Sequence, residues 1–484
     1  MNILFVQSDK NSINTRKPIP WQSYMIAGIS YISAMLKKHG HTTDLIVLTG
    51  RTPKKVIDRE ITAFKPRVIC FTSSTSEYGF ISSTAKYIRE KFPGLYHVIG
   101  GPHATICPEQ AIKDNFDAVC VGEGEYPALE LVRQLESGAK PSGIKNLWIK
   151  DGDKTEKNPA REFVQDLDAL PFPDREMWQR WIEYTESIQL VTVGRGCPYS
   201  CGYCCNHVFR KAAPGKYVRL RSPENVLEEI RGVVKRFPWS REITLQMETI
   251  TVSVEFAVKL SSLLESFNRT LERPLSFDID VRITKNTDYE VLFGALRKAN
   301  VTMLDIGLES GSERIRRDVL NRDYSNEEFF TVIRMAQEHG FLINLFIMMG
   351  IPTETYSDFM ETVSVTRQAQ PNQARLSIFY PYHGTTLYKL CEEQGLLETA
   401  DFSTEHERWR GVLDLPGFPR KRIQREFYLF DYRVFRGHRP LRRLLGEVIF
   451  RMVIISRFSW LYRLYRNARI TAKRILGRED KIYK

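Results

Sequence analysis

Over the first 140 residues, apolar and polar positions switch repeatedly between a strand-like and a helix-like period. Short β-branched runs at 2–6, 45–48, 68–72, 97–99 and 118–121 predict strands. Between them apolar residues recur at helical spacing, as at Ile26, Ile29, Ile32 and Leu36. This alternation predicts an α/β, doubly wound parallel sheet of Rossmann-like type. The rhythm resumes with longer units further on. Strands are expected near 188–194, 242–247, 275–281, 301–308, 342–349 and 374–380, each followed by a helical stretch. Six such units predict a partial (β/α)6 TIM-type barrel with its chemistry at the strands' C-terminal ends. A polar, Pro-containing connector separates the two regions, with Leu170-Pro171-Phe172-Pro173 near its middle. It reads as a linker that also packs between domains. The organisation expected is 1–140, linker 141–187, barrel 188–385 and a helical, basic C-terminal region 386–484.

Composition narrows the class. The 484 residues are 42% hydrophobic and 26% charged, which excludes a disordered or collagen-like chain. The longest apolar runs fall well short of the roughly 18 residues that read as a membrane-spanning helix. The opening Met1-Asn2-Ile3-Leu4-Phe5-Val6 reads as a first strand rather than a signal peptide. Eight cysteines without a spaced framework fit a reducing, cytoplasmic setting. The net charge of +12 is unevenly spread. Residues 420–484 hold 19 Lys/Arg against 5 Asp/Glu, whereas the rest is close to neutral. Any affinity for an anionic surface therefore belongs to the tail.

Three loops follow predicted strands on one edge of the first sheet: Thr72-Ser73-Ser74-Thr75-Ser76, Gly100-Gly101-Pro102-His103 and Gly122-Glu123-Gly124-Glu125. Each combines small residues with hydrogen-bonding groups, so backbone and donors can approach a ligand closely. One such loop is commonly an ordinary turn. Three on one edge point to a ligand site.

The sharpest signal is Cys197-Pro198-Tyr199-Ser200-Cys201-Gly202-Tyr203-Cys204, directly after a predicted barrel strand. Three closely spaced thiolates on a Gly-flanked loop can wrap an iron–sulfur cluster. A 4Fe-4S cluster with three protein ligands, Cys197, Cys201 and Cys204, keeps one iron open for chemistry. The alternatives are a structural zinc site completed by Cys205 or His207, or simple buried cysteines. A zinc site usually draws on two separated ligand pairs, and no second pair is present.

The spacing, with an aromatic before the third cysteine, resembles the radical S-adenosylmethionine (SAM) family. The N-terminal loops resemble the cobalamin-binding domain that precedes this barrel in one large branch of that family. The two resemblances cover about residues 1 to 400. They imply a 4Fe-4S cluster, SAM and cobalamin as cofactors, with SAM chelated by the open iron and cleaved to a 5′-deoxyadenosyl radical. For cobalamin they point to Ser73, Ser74, Gly100, Gly101, His103, Gly122, Glu123 and Glu125. For SAM they point to Tyr203, to Glu248 as receiver of the amino group, and to Arg282 as partner of the carboxylate. Glu309 and Ser310 in Ile306-Gly307-Leu308-Glu309-Ser310-Gly311 are placed by the ribose, and Gly350 in Met349-Gly350-Ile351-Pro352 by the adenine. The D-x-H-x-x-G signature of domains that supply an axial histidine is absent, so cobalamin is expected to bind without a histidine below the cobalt. The resemblance assigns no catalytic side chain.

The resemblance implies C-methylation of an unactivated carbon. Oxidative cyclisation, rearrangement or carbon–carbon coupling is the second reading. A cobalamin or redox sensor with a structural cluster is the non-enzymatic one. Expected partners are a small-molecule substrate, hydrophobic or lipid in character, and an external electron donor of flavodoxin or ferredoxin type. Leu441, Leu444, Leu445, Val448, Ile449, Met452 and Ile455 follow helical spacing with Arg442, Arg443, Arg451 and Arg457 interleaved. Trp460, Tyr462 and Tyr465 then alternate with Arg463, Arg466 and Arg469. A basic amphipathic segment over 436–484 can lie on the inner face of a membrane, or pack on the barrel with its arginines solvated. Nucleic acid is disfavoured because no folded RNA module accompanies the charge.

Overall fold

The computed structural model describes residues 1–12, 14–184, 188–402 and 407–455. The chain divides into two compact units. The first comprises Met1–Ile306, Met335–Leu342 and Pro381–Lys389, and the second Gly307–Arg334, Ile343–Tyr380 and the described part of Leu390–Lys484.

In the first unit a sheet runs in the order Thr42–Leu48, Asn2–Ser8, Val68–Thr72, Tyr96–Gly100 and Ala118–Cys120, all parallel. Its strands are nearly continuous runs of buried Ile, Leu, Val and Phe, the composition of strands covered on both faces. The order places the first strand between the second and the third, and that reversal opens a crevice at the strands' carboxyl ends. The doubly wound expectation is met.

Two further strands, Leu147–Asp151 and Lys154–Lys157, extend this sheet as an antiparallel hairpin within the segment read as a connector. The signal was local: Leu147 and Ile149 alternate as buried positions, and Asp151-Gly152 makes the turn with Gly152 at φ 61°. The rest of the segment is tied to the same sheet. Trp178 is fully buried with its indole N–H on Ser30 Oγ at 2.8 Å. The Trp181 indole N–H reaches the Leu45 carbonyl at 2.9 Å. A sequence rich in proline and charge hid these two anchors, because their partners lie over 130 residues away.

The first unit continues with parallel strands Ile188–Thr192, Glu242–Gln246 and Ser276–Val281, then the part of Val301–Glu309 up to Ile306. Helix Pro223–Arg236 starts where Ser222 Oγ accepts the Asn225 N–H at 3.1 Å, a cap worth about 1 kcal/mol. Along Ser276–Val281, Phe277, Ile279 and Val281 are buried while Ser276, Asp278 and Asp280 are half-buried, so polar side chains share one face.

In the second unit Leu342–Met349 pairs in parallel with Gln373–Ile378. Helix Tyr356–Ala369 links them, held at its start by a Thr355–Asp358 capping box. Helices Arg420–Phe435 and Leu441–Ile455 pack on each other. All six strands expected of the barrel region form, parallel to their partners. Among the described residues no helix is long and apolar enough to cross a membrane.

Candidate active site

After strand Ile188–Thr192 the chain makes a short antiparallel bridge, Gly194–Arg195 with Arg219–Leu220, and turns into the cysteine loop. The turn requires Gly196. Its φ is 87°, and a Cβ there would lie 2.3 Å from the Tyr217 carbonyl oxygen. Arg210 holds the loop from outside, donating to the Tyr199 carbonyl at 2.7 Å and the Cys197 carbonyl at 3.3 Å. The Leu387 N–H meets the Gly202 carbonyl at 2.9 Å. Cys201 is buried, Cys197 and Cys204 are half-buried, and all are free thiols. Burial pushes the Cys197 thiol up to about 11 and raises Cys204 as well.

The donor set fits a cluster. Its three thiols are free and lie within eight residues of one loop, and no second pair of cysteines stands beside them in the sequence. Side-chain nitrogens already face two of the sulfurs: Arg282 Nη1 lies 2.7 Å from Cys201 Sγ, and Asn206 Nδ2 lies 3.5 Å from Cys204 Sγ. Donors of this kind orient and stabilise thiolate ligands.

Glu248 leaves the next strand beside the loop. Its Oε1 accepts the Gly196 N–H at 3.3 Å, and burial raises its carboxyl above the ordinary range. Arg282 follows strand Ser276–Val281. Its N–H bonds Thr249 Oγ1 at 2.9 Å, and its guanidinium lies 4.0 Å from the Tyr199 ring centroid. Tyr203 is half-buried on the loop itself.

A single cavity of about 640 Å³ joins the two expected cofactor regions inside the first unit. Gly100, Gly101, Gly122, Glu123 and Glu125 line it, and so do Gly196 and Glu248. Ser73, Ser74 and His103 are not among its lining residues. Gly101 sits at φ 88°, where a Cβ would fall 2.5 Å from Thr72 Oγ1, so backbone is kept open towards the cavity. Glu125 is buried and its Oε2 has no hydrogen-bond partner among the described residues, an acceptor suited to the amide rim of a large flat cofactor such as cobalamin. The glycine cradle and the orphan acceptor fit that group.

The other carboxylate oxygens there are taken. Arg195 donates to Glu123 Oε1 at 2.9 Å and to Glu125 Oε1 at 2.6 Å. Arg219 lies 3.0 Å from Glu123 Oε1, and the Val164 N–H bonds Glu123 Oε2 at 2.8 Å. Sequence reasoning missed Arg195, Arg219, Asn206 and Tyr217. No spacing marks Arg195, Arg219 and Tyr217, since each acts on a residue from another element, and Asn206, two positions past Cys204, falls outside the cysteine spacing. His103 is buried, its ring stacked 3.8 Å from that of Tyr78 and its Nδ1 3.4 Å from Thr75 Oγ1. Burial pushes its imidazole down to about 4.

The second unit holds the remaining expected residues. Glu309 has φ 62°, an unusual conformation for a side-chain-bearing residue, and Arg322 Nη1 donates to its Oε1 at 2.7 Å. Ser310 is fully buried with its Oγ 3.2 Å from Thr362 Oγ1. Gly350 has φ 74°. Its N–H and that of Ile351 bond Glu354 Oε2 at 2.5 and 3.2 Å, and burial pushes the Glu354 carboxyl up to about 8.

Residues 191–365 match the Radical SAM superfamily and residues 25–132 match the B12 binding domain. An uncharacterized methyltransferase of Pyrococcus horikoshii is 25% identical over 379 residues, covering 78% of this chain and 80% of that one. The anaerobic magnesium-protoporphyrin IX monomethyl ester cyclase of Rubrivivax gelatinosus is 24% identical over 416 residues, covering 83% and 72%. Among solved structures, the radical SAM methyltransferase TsrM of Kitasatospora setae, with cobalamin and a [4Fe-4S] cluster bound, superposes with a TM-score of 0.64. It is 17% identical, with 81% of this chain and 78% of that chain covered, a likeness of fold.

Proposed function

We propose that this chain, a radical SAM enzyme carrying a B12-binding domain ahead of its radical SAM domain, transfers a methyl group to an unactivated carbon of a small-molecule substrate. The observation that carries the reading is the shared cavity, which runs from the glycine loops of the B12-binding domain to Gly196 and Glu248 at the cysteine loop. A sensor has no need to bring the two regions into one chamber.

When bound, the cluster with SAM supplies the radical and cobalamin supplies the methyl group. The protein's share is placement and exclusion of water. Cys197, Cys201 and Cys204 would hold the cluster. Glu248 would receive the SAM amino group, with Arg282 and Tyr203 bordering the same cofactor, while Glu309, Ser310 and Gly350, in the second unit, are the residues that motif likeness assigns to ribose and adenine recognition. Gly100, Gly101 and Gly122 let backbone approach the corrin, with Glu125 Oε2 accepting from its amide rim. Glu123 acts through Arg195 and Arg219 to hold the cavity wall. Ser73, Ser74 and His103 support the loops behind it.

The test is anaerobic incubation of the reconstituted protein with cobalamin, SAM and a reductant, read by mass spectrometry. Accumulation of both 5′-deoxyadenosine and S-adenosylhomocysteine is expected, since such a methyltransferase would consume one SAM as radical source and a second as methyl donor. With candidate substrate present, deoxyadenosine alone would move the assignment to cyclisation or rearrangement. Neither product, from protein with a verified cluster, would overturn the enzymatic reading.

Two partners complete the proposal. One is an electron donor of flavodoxin or ferredoxin type. The other is an anionic lipid surface, met by helix Leu441–Ile455. Leu441, Leu445, Ile449 and Met452 fall on one stripe of that helix and are 59, 48, 59 and 45% exposed, while Leu444 is buried. Arg442 and Arg443 are exposed beside them. An exposed apolar stripe flanked by arginines matches the boundary between lipid headgroups and acyl chains. The aromatic and basic run after residue 455 lies outside the described residues. Co-sedimentation with phosphatidylglycerol vesicles is expected, with little on phosphatidylcholine, and the pair Leu445→Glu and Ile449→Glu is expected to abolish it. Unchanged sedimentation of that double variant would remove this partner and the hydrophobic substrate it favours.

A further inference from the structure

Accepting that the cysteine loop holds the cluster, we infer that Arg282 and Asn206 set its reduction potential, with Tyr217 as the residue that aims Asn206. The three thiols are served unequally. Cys197 has a backbone bond from Tyr199 and no side-chain donor described on its sulfur. Cys201 Sγ receives the Arg282 guanidinium at 2.7 Å. Cys204 Sγ receives the Asn206 side-chain amide at 3.5 Å, besides the Asn206 backbone.

Both donors are held from behind. Arg282 is pinned through its N–H on Thr249 Oγ1, and its guanidinium lies over the Tyr199 ring within the cysteine loop. A cation on an aromatic face gains further attraction where water is scarce. Asn206 could present either its oxygen or its nitrogen to the sulfur. Tyr217 decides which: its hydroxyl donates to Asn206 Oδ1 at 2.6 Å, leaving only the NH₂ group to face Cys204. Burial raises the Tyr217 phenol, so it stays a donor throughout the working range. Gly196, whose missing Cβ lets the loop pass the Tyr217 carbonyl, keeps these groups in register.

One-electron reduction adds negative charge to the cluster and its sulfurs. An N–H aimed at a thiolate, and more so a full positive charge beside it, stabilises the reduced state and raises the potential. The charged donor on Cys201 therefore has the larger effect and the Asn206–Tyr217 pair the smaller one. Asn206 and Tyr217 also line the shared cavity, so a ligand entering there touches the groups that govern the cluster.

The experiment is an EPR-monitored reductive titration of full-length, anaerobically reconstituted protein, with dithionite and mediators and without SAM, cobalamin or substrate. Arg282→Gln is expected to lower the potential by at least the 59 mV that makes a tenfold change in a one-electron equilibrium. Arg282→Lys should restore part of that shift, because it returns the charge without the planar fork. Tyr217→Phe and Asn206→Ala should each lower the potential less, and the double variant no further than either alone. A potential unmoved by Arg282→Gln, with only the KM for SAM raised, would make Arg282 a SAM carboxylate partner and overturn the inference. Should Arg282→Gln fail to hold iron, Arg282→Lys and Tyr217→Phe decide: wild-type potentials in both overturn it. Methyl transfer is absent from the assay, so an enzyme that proves to be a cyclase leaves this result standing.

Discussion

Gly196 and Asn206, which flank the cysteine loop, border the same cavity as the 121–125 loop, yet the two loops use their polar side chains in opposite ways. Among the described residues, the side-chain groups bonded to the Cys201 and Cys204 sulfurs are donors, and the thiols are left as the acceptors. Arg282 and Asn206 point at sulfur, and Arg210 grips backbone rather than side chain. In the 121–125 loop the carboxylates of Glu123 and Glu125 are spent on Arg195 and Arg219, leaving one oxygen, Glu125 Oε2, without a partner among the described residues. The first loop is built to be completed by a ligand. The second is mostly completed by the protein and offers glycine backbone and a single acceptor. A motif residue thus can be a ligand or part of the wall that shapes the ligand's space, and its partners distinguish the two.

The sharpest way to break this comparison is to damage each loop separately. Cys201→Ala is expected to abolish both the cluster absorbance and SAM cleavage while cobalamin still binds. Gly101→Val is expected to do the reverse, because its Cβ alone would overlap Thr72 Oγ1 and the φ of 88° disfavours any side chain. Iron content and cobalamin retention after gel filtration read both. Loss of both cofactors from either variant would mean that the two loops are one site rather than two.

A smaller effect is expected from the wall. Arg195→Met leaves Glu125 buried without its cation, and breaking such a pair costs about 3 kcal/mol or more. A fall in Tm together with weaker cobalamin binding is expected. The double variant Arg195→Met with Glu125→Gln should recover stability without recovering full affinity. Recovery of both would make Glu125 a wall residue and nothing more.

The smallest effect concerns pH. Burial pushes the His103 and His97 imidazoles down from 6.5 to about 4. Each is therefore neutral in the folded protein where the unfolded chain would bind a proton. Their contribution is fully present above pH 6.5 and is lost as pH falls towards 4. The Tm should drop across that window, and His103→Gln should flatten part of the drop. An identical slope in the variant would place the acid sensitivity elsewhere.

Much of this was readable from spacing. The cysteine loop, the glycine loops and the strand positions depend on residues close together in the chain, and local pattern reports local geometry. The tail stripe was half readable. Leu441, Leu444, Leu445 and Ile449 share helical spacing, but only packing against Arg420–Phe435 separates the buried Leu444 from its exposed neighbours. The hairpin Leu147–Lys157 carried a turn signal that the surrounding prolines and charges obscured.

The sequence by itself marked the order of the B12-binding and radical SAM regions, the cysteines proposed as cluster ligands and the loops proposed to face the cofactors, because the chemistry of each demands particular residue types at short separations. Tertiary structure alone decided that Arg195 and Arg219 occupy Glu123 and Glu125, that Tyr217 turns Asn206 towards Cys204, and that Arg282 reaches Cys201. These pairs bring together residues 11 to 96 positions apart from different elements. A hydrogen bond or ion pair has no sequence period, and it exists only once folding has brought donor and acceptor within about 3 Å.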